Sequence, residues 1–283
     1  MHKYAEGLIR LFGFCSHLGK HPQALRPLHK EPEFFTNDCN NDPPKGCPEE
    51  ASIKYINETL KLPDFIESKG RIAPYESSTH VVRRGDIMAK KMHDLVPWAK
   101  IIISLREPIS RAASMLIHMK DVYNEGCLSE ENLGYCLHAR SQIRGLKDGS
   151  TSYFEALSHW FTHWPESQIH IVQYEELTNE RTEYKVMRGI KNFIEVDPEL
   201  PQGGLTVIND RRFRIQPKGW PTSKKQYLKL IDLVKPDVDK TLDLMEAHGK
   251  LRYREGWMKK WEKVWEDNLN TCDKDGNCII NLS

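Results

Sequence analysis

Several features are missing from this sequence, and each absence closes a class of explanation. No apolar run approaches the ~18 residues that span a bilayer as a helix. The opening stretch, Met1-His-Lys-Tyr-Ala-Glu-Gly-Leu-Ile-Arg-Leu-Phe-Gly13, is too polar for a secretory signal peptide. No excess of one charge exists: 41 Lys and Arg stand against 40 Asp and Glu, a net charge of +1. General attraction to nucleic acid or to a membrane surface therefore has no basis in composition. The C-x-x-C spacing of zinc sites is absent. There is also no internal repeat.

What is present describes an ordinary globule. Hydrophobic residues make up 39% and charged residues 29%, and the seven Trp argue against disorder over most of the length. Six of the seven Cys fall into close pairs, Cys39 with Cys47, Cys127 with Cys136 and Cys272 with Cys278, leaving Cys15. Each pair brackets a Gly-, Asn- or Asp-bearing segment, as a loop-closing disulfide would. Asn57-Glu-Thr59 and Asn281-Leu-Ser283 fit the N-glycosylation pattern. These signals point to a secretory-pathway lumen, with the targeting segment expected outside this chain.

Periodicity predicts a helix over 3–20, a loop over 36–49, a helix over 52–67 and an extended piece near 71–75. Lys100-Ile-Ile-Ile-Ser-Leu105 reads as a strand buried on both faces, and Pro108 suits the first turn of a helix running to about Val122. A helix from Ser152 to Pro165, a strand over 168–174 and a helix over 182–194 follow, then helices over 223–248 and 255–269. Strand–helix–strand alternation predicts an α/β fold, a parallel sheet with helices on both faces.

The chemistry concentrates at the end of that buried strand: Arg106-Glu-Pro-Ile-Ser-Arg111-Ala-Ala-Ser114-Met-Leu-Ile-His118. Ligands of open α/β sheets sit beyond the carboxyl ends of the strands. A guanidinium there can grip a phosphate with two parallel hydrogen bonds. Arg111, Ser114 and His118 are three and four apart, so one helix face presents them. On spacing alone, a polar strand exit before a helix with solvent-facing Arg and Ser reads equally well. Further basic groups occur at Arg83, Arg84, Lys90, Lys91, Arg211, Arg212, Arg214 and Lys218.

Strand-Arg-x-Pro-x-x-Arg-x-x-Ser resembles the 3′-phosphate-binding motif of sulfotransferases that use 3′-phosphoadenylyl sulfate (PAPS), particularly the Golgi enzymes acting on heparan sulfate and related glycans. His21-Pro-Gln23 followed by Lys30-Glu31-Pro-Glu-Phe-Phe35 is similar to that family's "HPQ…KE-x-x-FF" stretch. The likeness covers about residues 21–246 and is most specific between Trp98 and His118. It implies a single P-loop-NTPase-like sulfotransferase domain over 1–283, with a core at 21–246 and a helical, disulfide-closed extension at 250–283. It implies PAPS as co-substrate, a carbohydrate acceptor and no metal ion. Arg106 and Ser114 would hold the 3′-phosphate, Tyr153 and Lys218 would lie on the nucleotide side, and Glu31 would be the base that deprotonates the acceptor hydroxyl.

Two departures stand out. Ser77, in Glu76-Ser77-Ser78-Thr79, occupies the place of a Lys that many members carry. The strand and Gly/Thr/Ser-rich turn that cradle the 5′-phosphosulfate ahead of the first helix have no counterpart, so the fold is expected to lack its first strand here. Gly13-Phe-Cys-Ser-His-Leu-Gly19-Lys20 is no substitute, because five residues separate its glycines and His21 stands where Ser or Thr is required. A catalytically inactive module that binds nucleotide or glycan is the alternative. A phosphate-transferring kinase ranks last, for want of a matching loop. His159 and His163 lack the Glu of a metalloprotease helix, and 273–277 lacks the final Glu of a calcium loop, so a disulfide-closed hairpin is expected there. Trp257, Trp261 and Trp265 form a helical stripe of the kind that fills cores.

Overall fold

The computed structural model describes residues 18–27, 32–35, 39, 47–78, 85–123, 152–200 and 220–281. The elements, in chain order, are β1 (Ala24–Leu25), α1 (Glu49–Lys54), a π-helical turn (Tyr55–Thr59), α2 (Leu62–Glu67), β2 (Ala73–Pro74), α3 (Gly85–Leu95), β3 (Ile101–Leu105) and α4 (Pro108–Tyr123). Then come α5 (Tyr153–His163), β4 (Ile169–Gln173), α6 (Tyr174–Leu177), α7 (Glu183–Phe193), β5 (Trp220–Ser223), α8 (Lys224–Ala247), α9 (Arg254–Leu269) and β6 (Asn277–Ile280). The chain is of mixed α/β class, and it divides into two compact units, one from 1–105 with 159–208 and one from 106–158 with 209–283.

In the first unit the two apolar strands pair as expected. β3 and β4 run parallel, from Ile101 opposite Ile169 to Leu105 opposite Gln173. Their register is pinned from outside the ladder: the Gln168 side-chain amide donates to the carbonyls of Pro97 and Ala99, both at 2.8 Å. Burying each Ile or Val of such a pair stabilises by roughly 1.5–3 kcal/mol. A second parallel pair joins β1 to β2, with Ala24 opposite Ala73. The strands described thus form separate two-stranded pairs instead of one continuous sheet.

The helix expected over 52–67 is interrupted. Lys61 sits at φ 47°, a left-handed conformation that cannot continue a right-handed helix, and α2 restarts after it. α3 had no sequence signal strong enough to announce it. Its buried stripe is Gly85, Met88, Ala89 and Met92, with Lys91 buried among them. The Lys91 ammonium donates to the Cys39 carbonyl, and Cys39 is disulfide-bonded to Cys47. Lys90 pairs with Asp94 at 2.6 Å on the exposed side. Neither lysine is left as a loose basic patch. Of the helix predicted over 3–20, only the end at Leu18 falls among the described residues.

The second unit has its own core: Ile109, Ala112 and Ala113 from α4, Tyr227, Leu230 and Val234 from α8, Trp265 from α9 and Ile280 from β6. α8 opens on Ser223, whose hydroxyl accepts the N–H of Gln226 at 3.2 Å, and runs through Pro236. Buried residues from Tyr227 to Met245 follow helical spacing along it. At the C-terminus the bridge Cys272–Cys278 forms as expected. The expected hairpin is different in detail. Cys272 follows α9 directly, and β6 finds its antiparallel partner in β5, with Thr222 opposite Cys278. Cys127 and Cys136 lie outside the described residues.

Candidate donor-nucleotide site

Every residue from Ile103 to Met115 is buried, although the stretch holds two Arg, a Glu and three Ser. Charged groups are seldom buried without partners, because leaving water costs more than an isolated charge can recover. The partners here come from helix starts and aromatic rings of the second unit.

Glu107 caps α4. Its carboxylate accepts the backbone N–H groups of Ile109 at 2.8 Å and Ser110 at 2.6 Å, while Pro108 occupies the position that needs no donor. The same carboxylate accepts the indole N–H of Trp265 at 2.7 Å. α5 is capped in a related way. The Ser152 hydroxyl accepts the N–H of Glu155 at 3.0 Å and itself donates to Asp237, whose other oxygen accepts the N–H of Tyr153 at 2.9 Å. Backbone donors at the two helix starts are thus taken up by the side chains of Glu107, Ser152 and Asp237. An anion bound near this stretch must be held mainly by side chains, not by a helix N-terminus.

Those side chains are Arg106, Arg111, Ser110 and Ser114, each at most 8% exposed. Tyr153 organises them. Its hydroxyl donates to the Arg106 carbonyl at 2.8 Å, and its ring lies 4.4 Å from the centre of the Arg111 guanidinium, a cation–π contact. The ring also stacks on Trp261, with centroids 6.3 Å apart. Arg106 and Ser114 therefore belong to one buried polar stretch whose backbone is fixed from outside. Tyr153 meets that stretch through Arg106 and Arg111.

In the first unit, the signature residues around the acceptor-base candidate are tied down too. His21 accepts the Gln23 N–H at its Nδ1, so its Nε2 carries the proton donated to the Asp197 carbonyl at 2.9 Å. The Gln23 side chain accepts the Asp197 N–H at 2.7 Å. The His-Pro-Gln triplet is thus a two-point clamp on the backbone of one residue, Asp197. Ser78 donates to Glu76 at 2.6 Å and accepts the Glu33 N–H at 2.9 Å, while Phe34 and Phe35 pack on Tyr55. Glu31, Lys218, Arg83, Arg84, Arg211, Arg212, Arg214 and the side chain of His118 lie outside the described residues.

The sequence reading passed over Glu107 and Asp237 and took Trp265 only as a core residue, which it is. An acid directly before a proline at a helix start was a legible capping signal, and Ser152-x-x-Glu155 was another. The partner of Trp265 had no local signal at all. No group of three or more metal-ligating side chains occurs among the described residues.

Comparison with known proteins gives three concordant results. A stretch of 125 residues, 41% of this chain, is 29% identical to the bifunctional heparan sulfate N-deacetylase/N-sulfotransferase of Drosophila melanogaster, and spans 12% of that protein's length. A solved sulfotransferase from Alicyclobacillus acidocaldarius superposes with a TM-score of 0.59 at 18% identity, covering 90% of this chain and 97% of the other, and so shares the fold. The sulfotransferase domain model matches residues 73–262, well over half of the chain, and the protein belongs to that family.

Proposed function

We propose that this chain transfers the sulfuryl group of PAPS to a hydroxyl of a carbohydrate acceptor, and that the whole chain acts as one such domain. The observation that carries this reading is the buried Arg106–Ser114 stretch. It keeps two guanidinium groups and two further hydroxyls out of water while the nearby helix starts are already capped. That arrangement fits a dianion held by side chains, such as the 3′-phosphate of the donor. When bound, PAPS supplies an activated sulfuryl group that already carries its charge, so no metal ion is required to ready it.

In this reading Arg106 and Ser114 bind the 3′-phosphate, Tyr153 supports them from the nucleotide side and Lys218 adds a cation. The Glu31 carboxylate takes the proton of the acceptor hydroxyl. The acceptor oxygen then bonds to sulfur, the bridging S–O bond breaks, and 3′-phosphoadenosine 5′-phosphate (PAP) leaves with the electron pair. The relative's name supports a glycan of the heparan sulfate kind as acceptor. The disulfides Cys39–Cys47 and Cys272–Cys278 support a secretory-pathway compartment such as the Golgi lumen. Among the described residues no helix is long and apolar enough to cross a membrane.

Calorimetry with PAP, paired with sulfate transfer to heparosan and to its de-N-acetylated form, tests the reading. We expect binding without added metal and a product sulfated on oxygen. Binding without transfer would favour the inactive-module alternative. Sulfation confined to the free amine would replace the hydroxyl acceptor with nitrogen.

A further inference from the structure

We propose that Trp265 is a positioning residue for the donor nucleotide, acting through Glu107; this role rests on the donor-site reading above. The geometry supplies an unbroken chain. The indole N–H of Trp265 bonds the Glu107 carboxylate at 2.7 Å, and that carboxylate holds the N–H groups of Ile109 and Ser110. Arg106 directly precedes Glu107, and Ser110, Arg111 and Ser114 lie on the helix it caps. Setting the carboxylate's orientation therefore sets where the first turn of α4 begins, and with it the direction of every side chain assigned to the phosphate.

Trp265 is itself well anchored. It is 5% exposed and packs among Ile109, Ala112, Ala113, Tyr227 and Ile280. One turn later, Asn268 donates to the Tyr227 hydroxyl at 2.9 Å and accepts the N–H of Asn281 at 2.8 Å. Burial, together with the nearby Glu107 charge, pushes the Tyr227 phenol well above its usual range, so it stays a neutral acceptor for Asn268. The Cys272–Cys278 bridge closes the turn between α9 and β6. Trp265, Asn268 and Ile280 all lie beyond the stretch matched to the family model. The C-terminal segment thus acts as an added brace behind the phosphate-binding helix.

A purely space-filling indole would do none of this, and Trp265→Phe separates the two roles. It keeps an aromatic ring in the core and removes the N–H. In the full chain we expect the PAP dissociation constant and the KM for PAPS to rise about tenfold, as for loss of a hydrogen bond to a buried charge. The KM for acceptor and kcat at saturating PAPS should stay unchanged. Amide hydrogen exchange at Ile109 and Ser110 should quicken. Glu107→Gln should weaken PAP comparably, and the double variant should be no worse than the weaker single one. Equal PAP affinity in wild type and Trp265→Phe would overturn this role while leaving the donor site standing. So would parallel rises in both KM values tracking lost stability, or additive losses in the double variant. A wild-type chain that binds no PAP overturns the donor-site reading and this role with it.

Discussion

β3 and β4 are near twins with unlike exits. Both are five residues long, share the same sequence of buried and half-buried positions and pair in register. After β4 the chain passes through Gln173 into Tyr174-Glu175-Glu176, all half-buried, and closes locally, with the Thr182 hydroxyl on the Glu176 carbonyl at 2.6 Å. After β3 it buries Arg106, Glu107 and Arg111 within six residues. Sheet formation asks for nothing of the kind, as β4 demonstrates. Desolvating two guanidinium groups and a carboxylate costs free energy, offset here in part by the cap of α4, the Trp265 N–H and the Tyr153 ring. The contrast is what the proposed donor site would explain.

The widest gap between the two exits should appear on nucleotide binding. Arg106→Ala is expected to weaken PAP about a hundredfold by calorimetry, since truncation would remove the charge-assisted phosphate contact proposed for it. Gln173→Ala, at the matching end of β4, should leave that constant within about twofold and instead lower stability by about 1–3 kcal/mol in urea titration. Similar binding losses in both variants would erase the distinction.

A smaller effect tests the bracing proposed for the β3 exit from the C-terminal segment. Replacing Cys272 and Cys278 together with Ser should lower stability by about 2 kcal/mol, the loop-closure contribution for so short a ring. PAP affinity should fall with it. Stability loss without any change in affinity would detach the C-terminal bridge from the site.

Tyr153→Phe probes the local support of Arg106. It removes the hydroxyl bonded to the Arg106 carbonyl but keeps the ring under Arg111. About 1 kcal/mol of stability and a few-fold in PAP affinity should be lost. An unchanged affinity would make Tyr153 a core residue only.

The smallest effect concerns acid. Hydrogen bonds from Asn277, foremost its backbone N–H at 2.8 Å, and from Asp275 at 2.9 Å hold the Asp273 carboxyl below the usual carboxylate range. A depressed folded-state value means the contribution is fully present above about pH 4 and is lost as pH falls through the lowered value. Asp273→Asn should therefore show a slightly shallower loss of stability below pH 4 than wild type in thermal melts. Parallel curves would mean the turn holds without that charge.

Much of this was legible locally. The β-branched run of β3, Pro108 at a helix start and the Arg-x-Pro-x-x-Arg-x-x-Ser spacing identified the strand, the helix and the candidate phosphate groups, because their signals are short in range. The break at Lys61 was missed although Pro63 signals it: a proline suits the first turn of a new helix and not the interior of one running over 52–67. α3 was missed because Met and Ala make a faint stripe and its Lys91 is buried by an interaction with the distant Cys39 carbonyl.

By itself, the sequence determined the α/β class, the main helices and strands and the chemistry gathered after β3, all of which follow from periodicity and residue type within a few turns. Only the tertiary structure decided that Glu107 occupies its own helix start, that Tyr153 grips the Arg106 backbone and that Trp265 reaches back across 158 positions to hold that carboxylate. Hydrogen bonds between segments so far apart depend on where each helix packs, and no local pattern of residues encodes that.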